Sequence, residues 1–264
     1  MRKSILSLLF CISAAAGAQN SLPKDWADFH RYENANAELV TAPDVVLMGD
    51  SITDNWYAAD PEFFTENNFA GRGISGQTAS QMLVRFRQDV VALHPKAVAI
   101  LAGTNDLCQQ MASMAYYPDA NIIGNIISMC ELAEAAGIKV ILCSVTPCAH
   151  YMPIPDQDAG SRIVELNSRL KAYADSHGNV TWLDYFTPLA NEENGLDPDQ
   201  SHDGIHPLAT VYREMEILFT ECVTKVLDTE KTYYIIPEET AAARKSQQDA
   251  EWEQMRLRFQ KMSR

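Results

Sequence analysis

Four separated stretches of the chain carry side chains that can do chemistry. Ser51 ends the run Val45-Val46-Leu47-Met48-Gly49-Asp50-Ser51. A serine hydroxyl becomes a nucleophile when a neighbouring base takes its proton and a third group orients that base. Ser201-His202-Asp203-Gly204-Ile205-His206-Pro207 offers both partners. His206 can take the proton, and Asp203, three residues earlier, can hold its other ring nitrogen. Attack on an acyl carbon also needs donors aimed at the developing oxyanion. The candidates are the backbone N–H of Ser51, the backbone N–H of Gly73 within Gly71-Arg72-Gly73-Ile74-Ser75-Gly76, and the side-chain amide of Asn105 within Gly103-Thr104-Asn105-Asp106. The chemistry these residues describe is acyl transfer through a serine.

Each stretch also has a plainer reading. Asp and Ser are ordinary turn and N-cap residues, and a single Asn in a turn is commonly structural. Asp199 and His202 repeat the spacing of Asp203 and His206, so spacing alone does not choose between the pairs. The Gly204 turn and the anchoring Pro207 favour Asp203 with His206. His202 and His206 together suggest a metal, but Pro207 argues against one helical face through both and no third ligand presents itself. No metal site is expected.

Chemistry drawn from four stretches requires a scaffold that gathers them. Val45–Met48 is a short continuous apolar run bounded by glycine, the pattern of a strand buried on both faces. Similar runs end near Asn68-Phe69-Ala70, at Ala97–Leu101, at Val140–Val145 and at Val180–Leu183. Helical periodicity separates them: Met82, Leu83, Phe86 and Val90; Ile122, Ile123, Ile126, Ile127, Cys130 and Ala133, begun at Asp119 and closed by Gly137; Ile163, Leu166, Leu170 and Tyr173, begun at Ser161; Tyr212, Met215, Phe219, Cys222 and Val226, opened by Pro207. Strands alternating with helices predict a doubly wound parallel sheet of five strands with helices on both faces. In such a sheet the strand ends share one edge, where Ser51, the glycine turn and Asn105 converge. Residues 24–39 carry Trp26, Phe29 and Tyr32 at spacings of three and predict a short amphipathic helix. Residues 107–118 read as a loop.

In order and in content the four blocks resemble the SGNH hydrolase superfamily, the GDSL-like esterases and lipases. The match covers about residues 44–227, and the flanking residues resemble its acetylhydrolase and carbohydrate-esterase branch. The resemblance implies a flavodoxin-like three-layer α/β/α fold, no cofactor, and a Ser-His-Asp mechanism with Ser51, Asp203 and His206 catalytic and Ser51, Gly73 and Asn105 forming the oxyanion hole. A serine esterase removing small acyl groups, foremost acetyl, from carbohydrate is the leading expectation. Trp56, Tyr57, Tyr116, Tyr117 and Tyr151 would then be sugar-stacking walls, or else loop packing. A lysophospholipase or thioesterase is the alternative, with Met111, Met114 and Met152 lining an acyl slot. A binding module that has lost the chemistry is the third.

The ends and the bulk numbers set limits. Arg2 and Lys3, an apolar core from Ile5 to Ala16 and Ala16-Gly17-Ala18 compose an export signal, with cleavage expected after Ala18. A lipoprotein reading through Cys11 is weaker, because bulky Phe10 precedes it. The expected organisation is a signal peptide over residues 1–18, a hydrolase domain over 19–228 and a helical extension over 229–264. Removing residues 1–18 takes away Arg2 and Lys3 and carries the formal charge from −14 to −16. That argues against nucleic acid and anionic lipid as partners, although the charge also serves solubility. No apolar stretch is long enough to span a membrane. Cys143 and Cys148 flank a turn and could bridge, while Cys130 and Cys222 fall on apolar helix faces. In the tail, Trp252, Met255, Phe259 and Met262 recur at helical spacing and predict a helix that docks on the body or pairs with another chain.

Overall fold

A computed structural model describes residues 25–112, 118–151 and 154–262. The proposed leader, Tyr116, Tyr117, Met114 and Met152 lie outside the described residues. Five parallel strands, β1 Val45–Gly49, β2 Phe69–Gly73, β3 Ala97–Leu101, β4 Lys139–Cys143 and β5 Val180–Leu183, form one sheet in the order β2-β1-β3-β4-β5. Val45 lies opposite both Phe69 and Ala97, and Gly49 opposite both Gly73 and Leu101. Every residue of β1, β2 and β3 is buried. This is why β1 and β3 read as unbroken apolar runs rather than as alternation.

Helices cover both faces. α1 spans Glu33–Ala37, α2 Ser51–Ala59, α3 Pro61–Thr65, α4 Ala79–Asp89, α5 Thr104–Met111, α6 Asp119–Ala135, α7 Ala159–Asp175, α8 Phe186–Leu189, α9 Ala209–Leu227 and α10 Glu238–Met262. Because successive strand residues point to opposite faces, Val46 and Met48 meet Met82 and Phe86 of α4, Ile122 and Ile126 of α6 and Ile163 of α7. Val45 and Leu47 meet Phe63 of α3 and Met215, Phe219 and Val223 of α9. The result is the expected three-layer α/β/α sandwich. Strand order reverses at β1, with β2 on one side and β3 on the other, which opens a crevice beyond the carboxyl ends of β1 and β3.

Several elements differ from the sequence reading. Residues 104–111 are helical, because the polar Thr104-Asn105-Asp106 start leads into Leu107, which packs into the core. The amphipathic helix expected over 24–39 is a 3-10 turn, Phe29–Tyr32, followed by the five-residue α1. Neither buries a side chain, and Phe29 remains 40% exposed. β2 runs on through Gly73, so two of the three glycines belong to the strand and only Gly76 to the turn. α6 does end as expected, with Gly137 at φ +72°.

Cys143 and Cys148 are buried thiols rather than a disulfide. Burial pushes the Cys148 thiol up to about 12. Cys130 and Cys222 are core residues, as their helical spacing suggests.

α10 docks on the body through its first half and through polar groups more than through the apolar stripe. Arg244 donates to the carbonyl of Ala59 and pairs with Asp60 at 2.9 Å and Glu62 at 3.0 Å. The Gln248 Oε1 accepts from the backbone N–H of Ala209 at the start of α9. Among the described residues no helix is long and apolar enough to cross a membrane.

Candidate active site

β1 delivers Ser51 directly to the first turn of α2. The Asp50 carboxylate caps that helix by accepting from the backbone N–H of Ile52 at 3.0 Å. A helix start leaves its first N–H groups without intrahelical acceptors and carries positive partial charge. The Ser51 side chain therefore projects where negative charge is stabilised.

The loop from Ser201 to Pro207 brings the base across from the other end of the chain. His206 Nε2 lies 2.8 Å from Ser51 Oγ, and His206 Nδ1 lies 2.7 Å from Asp203 Oδ2. The second Asp203 oxygen accepts from the backbone N–H groups of Ile205 and His206, at 3.0 and 2.9 Å, and from the Ser201 hydroxyl at 3.1 Å. Gly204, at φ +74°, makes the tight turn that lets residue 203 reach residue 206. The tautomer this network selects has Nδ1–H donating to Asp203 and Nε2 accepting the serine proton.

The electrostatics follow from this geometry. Burial raises the Asp203 carboxyl, but the His206 hydrogen bond, its charge and the two backbone donors outweigh that and hold it well below the usual carboxylate range. Burial lowers the His206 imidazole, but Asp203 outweighs it and lifts the ring above its ordinary value. Complete burial pushes Asp50 up to about 6 despite its donors, and burial pushes Asp106 up to about 7.

The decoy pair does not form. His202 Nε2 lies 2.8 Å from Asp249 of α10, and its ring stacks on Trp252 at 5.2 Å and 10°. Asp203 and His206 are the pair that meets Ser51, while His202 fastens the tail to the same loop.

Asn105 arrives from β3 as the second residue of α5. Its amide donates to the carbonyl of Gln77 at 3.1 Å and reaches Asp50 Oδ2 at 3.3 Å. Gly73 sits at the buried end of β2, directly under α2: a Cβ there would lie 2.3 Å from the Asp54 nitrogen and 2.7 Å from the Asp50 carbonyl oxygen. Its carbonyl accepts from the Tyr32 hydroxyl. The absent side chain at Gly73 thus admits the helix. The exposed glycine of this block is Gly76, at φ +81° with open space where a Cβ would stand. Ser75 Oγ before it donates to Asp54 of α2 at 2.8 Å, and the Gln77 carbonyl after it holds Asn105. Gly76 stands in a Ser-Gly-Gln turn beyond the strand, between two residues that contact α2 and Asn105.

Two proposed sugar-facing aromatics prove to be core. Trp56 is 3% exposed, stacked between Phe63 at 5.2 Å and Tyr212 at 5.6 Å, with its Nε1–H donating to Glu216. It lies on the face of α2 turned toward the sheet. Tyr151 is fully buried in the cluster under α6 and α7. Tyr57, the next residue of α2, is 47% exposed and tilts against Phe64. Met111 packs against the same core cluster as Tyr151.

The model of the GDSL-like Lipase/Acylhydrolase family matches residues 47–214. The chain belongs to this family. It is an ester hydrolase of the SGNH superfamily. A GDSL-like lipase of Bacteroides thetaiotaomicron VPI-5482 is 40% identical over 75% of this chain and 98% of its own, with a TM-score of 0.70. An inferred acylhydrolase of Bacteroides fragilis NCTC 9343 is 42% identical over 78% of this chain and 100% of its own, with a TM-score of 0.72. A catalytic variant of an acetylxylan esterase from Geobacillus stearothermophilus shares the fold at 16% identity, over 70% of this chain and 96% of its own, with a TM-score of 0.56. No curated protein matches the chain. In this GDSL-like hydrolase the family match takes in Ser51 and the loop from Ser201 to Pro207, and it stops short of α10.

Proposed function

We propose that this GDSL-like hydrolase is an exported serine esterase that removes small acyl groups, acetyl foremost, from carbohydrate. The observation that carries the mechanism is the unbroken hydrogen-bond chain from Ser51 through His206 to Asp203. Ser51 Oγ attacks the ester carbonyl carbon while its proton passes to His206 Nε2. Asp203 stabilises the imidazolium that results. The carbonyl oxygen, now negative, takes hydrogen bonds from the Ser51 backbone N–H, the Asn105 amide and the glycine turn. Within that turn we assign this donor to Gly76 rather than to Gly73, a reading supported by the exposure of Gly76 and the burial of Gly73 beneath α2. The longer Asn105 contact, to Asp50, is the one that yields to the oxyanion. The intermediate collapses, His206 protonates the departing alcohol oxygen, and the acyl group remains on Ser51. Water then enters, gives its proton to His206 and releases the acid.

The substrate part of this reading rests on the export signal, the acidic chain and the family. Trp56 and Tyr151 no longer contribute to it, because both are core. The test is a chain-length series of p-nitrophenyl esters set beside acetylated oligosaccharides. Rates that peak at acetyl and rise further on the oligosaccharides support the reading. Rates that peak at eight carbons or more overturn the acetyl assignment in favour of a lipid-directed esterase.

A further inference from the structure

Arg85 is fully buried on α4 and lies outside the Ser51–His206–Asp203 chain. A guanidinium in a core is costly to desolvate unless its donors find acceptors, and here it makes four hydrogen bonds. Nε donates to Gln77 Oε1 at 2.6 Å. Nη2 donates to two carbonyls, Gly49 at 3.1 Å and Arg72 at 2.9 Å. Nη1 pairs with the equally buried Asp89 at 3.1 Å, which balances the charge. The three neutral acceptors are not scattered over the fold. Gly49 is the last residue of β1, two before Ser51. Arg72 is next to last in β2. Gln77 follows Gly76, and its own carbonyl is the acceptor that holds the Asn105 amide at 3.1 Å.

We infer that Arg85 is a positioning residue for the oxyanion hole. One rigid, planar fork ties the strand that presents Ser51 to the glycine turn, and through Gln77 it fixes the height at which Asn105 is held. Gln77 passes the restraint onward, since its Nε2 donates to the Ala27 carbonyl at 2.7 Å. A fork with fixed donor directions suits this task, whereas a single ammonium reaches one of these acceptors well and leaves the others unmet. Charge near the site is therefore secondary to geometry: Asp89 already neutralises it, and the three carbonyl-type acceptors fix the plane of the guanidinium. Errors of about 1 Å in such donors cost on the order of 10²-fold in rate.

This inference rests on the reading of Ser51 as nucleophile. The test compares wild type, Arg85→Lys, Gln77→Leu and the double variant, with Ser51→Ala as control, by kcat and KM on p-nitrophenyl acetate and by thermal melting. Arg85→Lys keeps the charge beside Asp89 and loses the fork. It is expected to lower kcat by at least tenfold with KM within about threefold, in protein that still melts cooperatively. Gln77→Leu removes one arm and is expected to lower kcat by a smaller factor. The double variant is expected to be no slower than Arg85→Lys, because both changes break the same link. Folded Arg85→Lys with wild-type kcat overturns the inference, and so do fully multiplicative losses in the double variant. If Arg85→Lys does not fold, Gln77→Leu decides: an unchanged kcat overturns the inference, and a fall in kcat at constant KM upholds it. Loss of activity in Ser51→Ala alongside a wild-type Arg85→Lys removes only the role of Arg85. Full activity in Ser51→Ala removes the nucleophile reading itself.

Discussion

Replacing Asp203 with asparagine separates what the carboxylate does for catalysis from what it does for the loop. Three donors converge on one of its oxygens: the N–H groups of Ile205 and His206 and the Ser201 hydroxyl. In Asp203→Asn the amide oxygen must take that position, because turning the NH₂ toward two backbone N–H groups would set donor against donor. The NH₂ then faces His206 Nδ1 and donates to it. That holds the imidazole in the tautomer with its proton on Nε2, the atom that must accept from Ser51. The loss expected for an orienting carboxylate trapped in this way is about 10⁴-fold in kcat, or about 5.4 kcal/mol of transition-state stabilisation. Stability should hardly change, since the loop keeps its acceptor. Asp203→Ala should behave in the opposite sense. The ring is free to choose its tautomer, so turnover falls less. Three donors lose their acceptor, at about 1–3 kcal/mol, and the melting temperature drops by several degrees.

The pH profile carries the same logic. Asp203 lifts the imidazole, and the base works only when neutral, so wild-type kcat/KM rises with pH through a midpoint above the usual histidine value of 6.5. Without the carboxylate that midpoint moves to lower pH. Steady-state rates on p-nitrophenyl acetate from pH 5 to 9, with melting curves on the same samples, read both effects. Asp203→Asn retaining turnover within tenfold of wild type would falsify the tautomer argument, as would an Asp203→Ala slower than Asp203→Asn.

Asn105→Ala should lower kcat by about 10²- to 10³-fold with little change in KM, as expected for one oxyanion donor; a change confined to KM would place the amide on the ground-state substrate instead. Trp56→Ala should destabilise the fold by about 3–5 kcal/mol, because it empties a stacked core position and strips Glu216 of a donor. A loss of oligosaccharide affinity at unchanged stability would return Trp56 to the substrate. Asp249→Ala removes the hydrogen bond between His202 and α10 and leaves the ring held by the Trp252 stack alone, and limited proteolysis should then cut the tail faster than in wild type; an unchanged cleavage rate means that Trp252, Arg244 and Gln248 suffice. Acid should weaken the fold through Asp203, whose folded carboxyl lies below its unfolded value. Its contribution is present above about pH 4 and fades as pH falls below that, and melting curves of wild type against Asp203→Ala should converge there.

The sheet, and the edge of it on which the site lies, were legible in the pattern of apolar runs. β1 and β3 had to be buried on both faces because their apolar runs allow no polar side, and parallel strands bring their carboxyl ends together whatever the loops between them do. Ser51, Asn105 and the loop from Ser201 to Pro207 were therefore legible as one constellation. Local spacing did not separate Asp203 and His206 from Asp199 and His202. Tertiary structure decided that, because α10 engages His202 from 47 residues further along the chain. Nor did residue type tell the aromatic rings of the core from those of the surface. Trp56 and Tyr57 are adjacent, and the rotation of α2 over Gly73 sends one inward and the other out. The glycines divide for the same reason: Gly73 is small so that a helix can rest on it, and Gly76 turns through a left-handed conformation at the open rim. Which glycine is buried under a helix and which stays open at the rim depends on what lies above each, and contacts between segments distant in sequence set that.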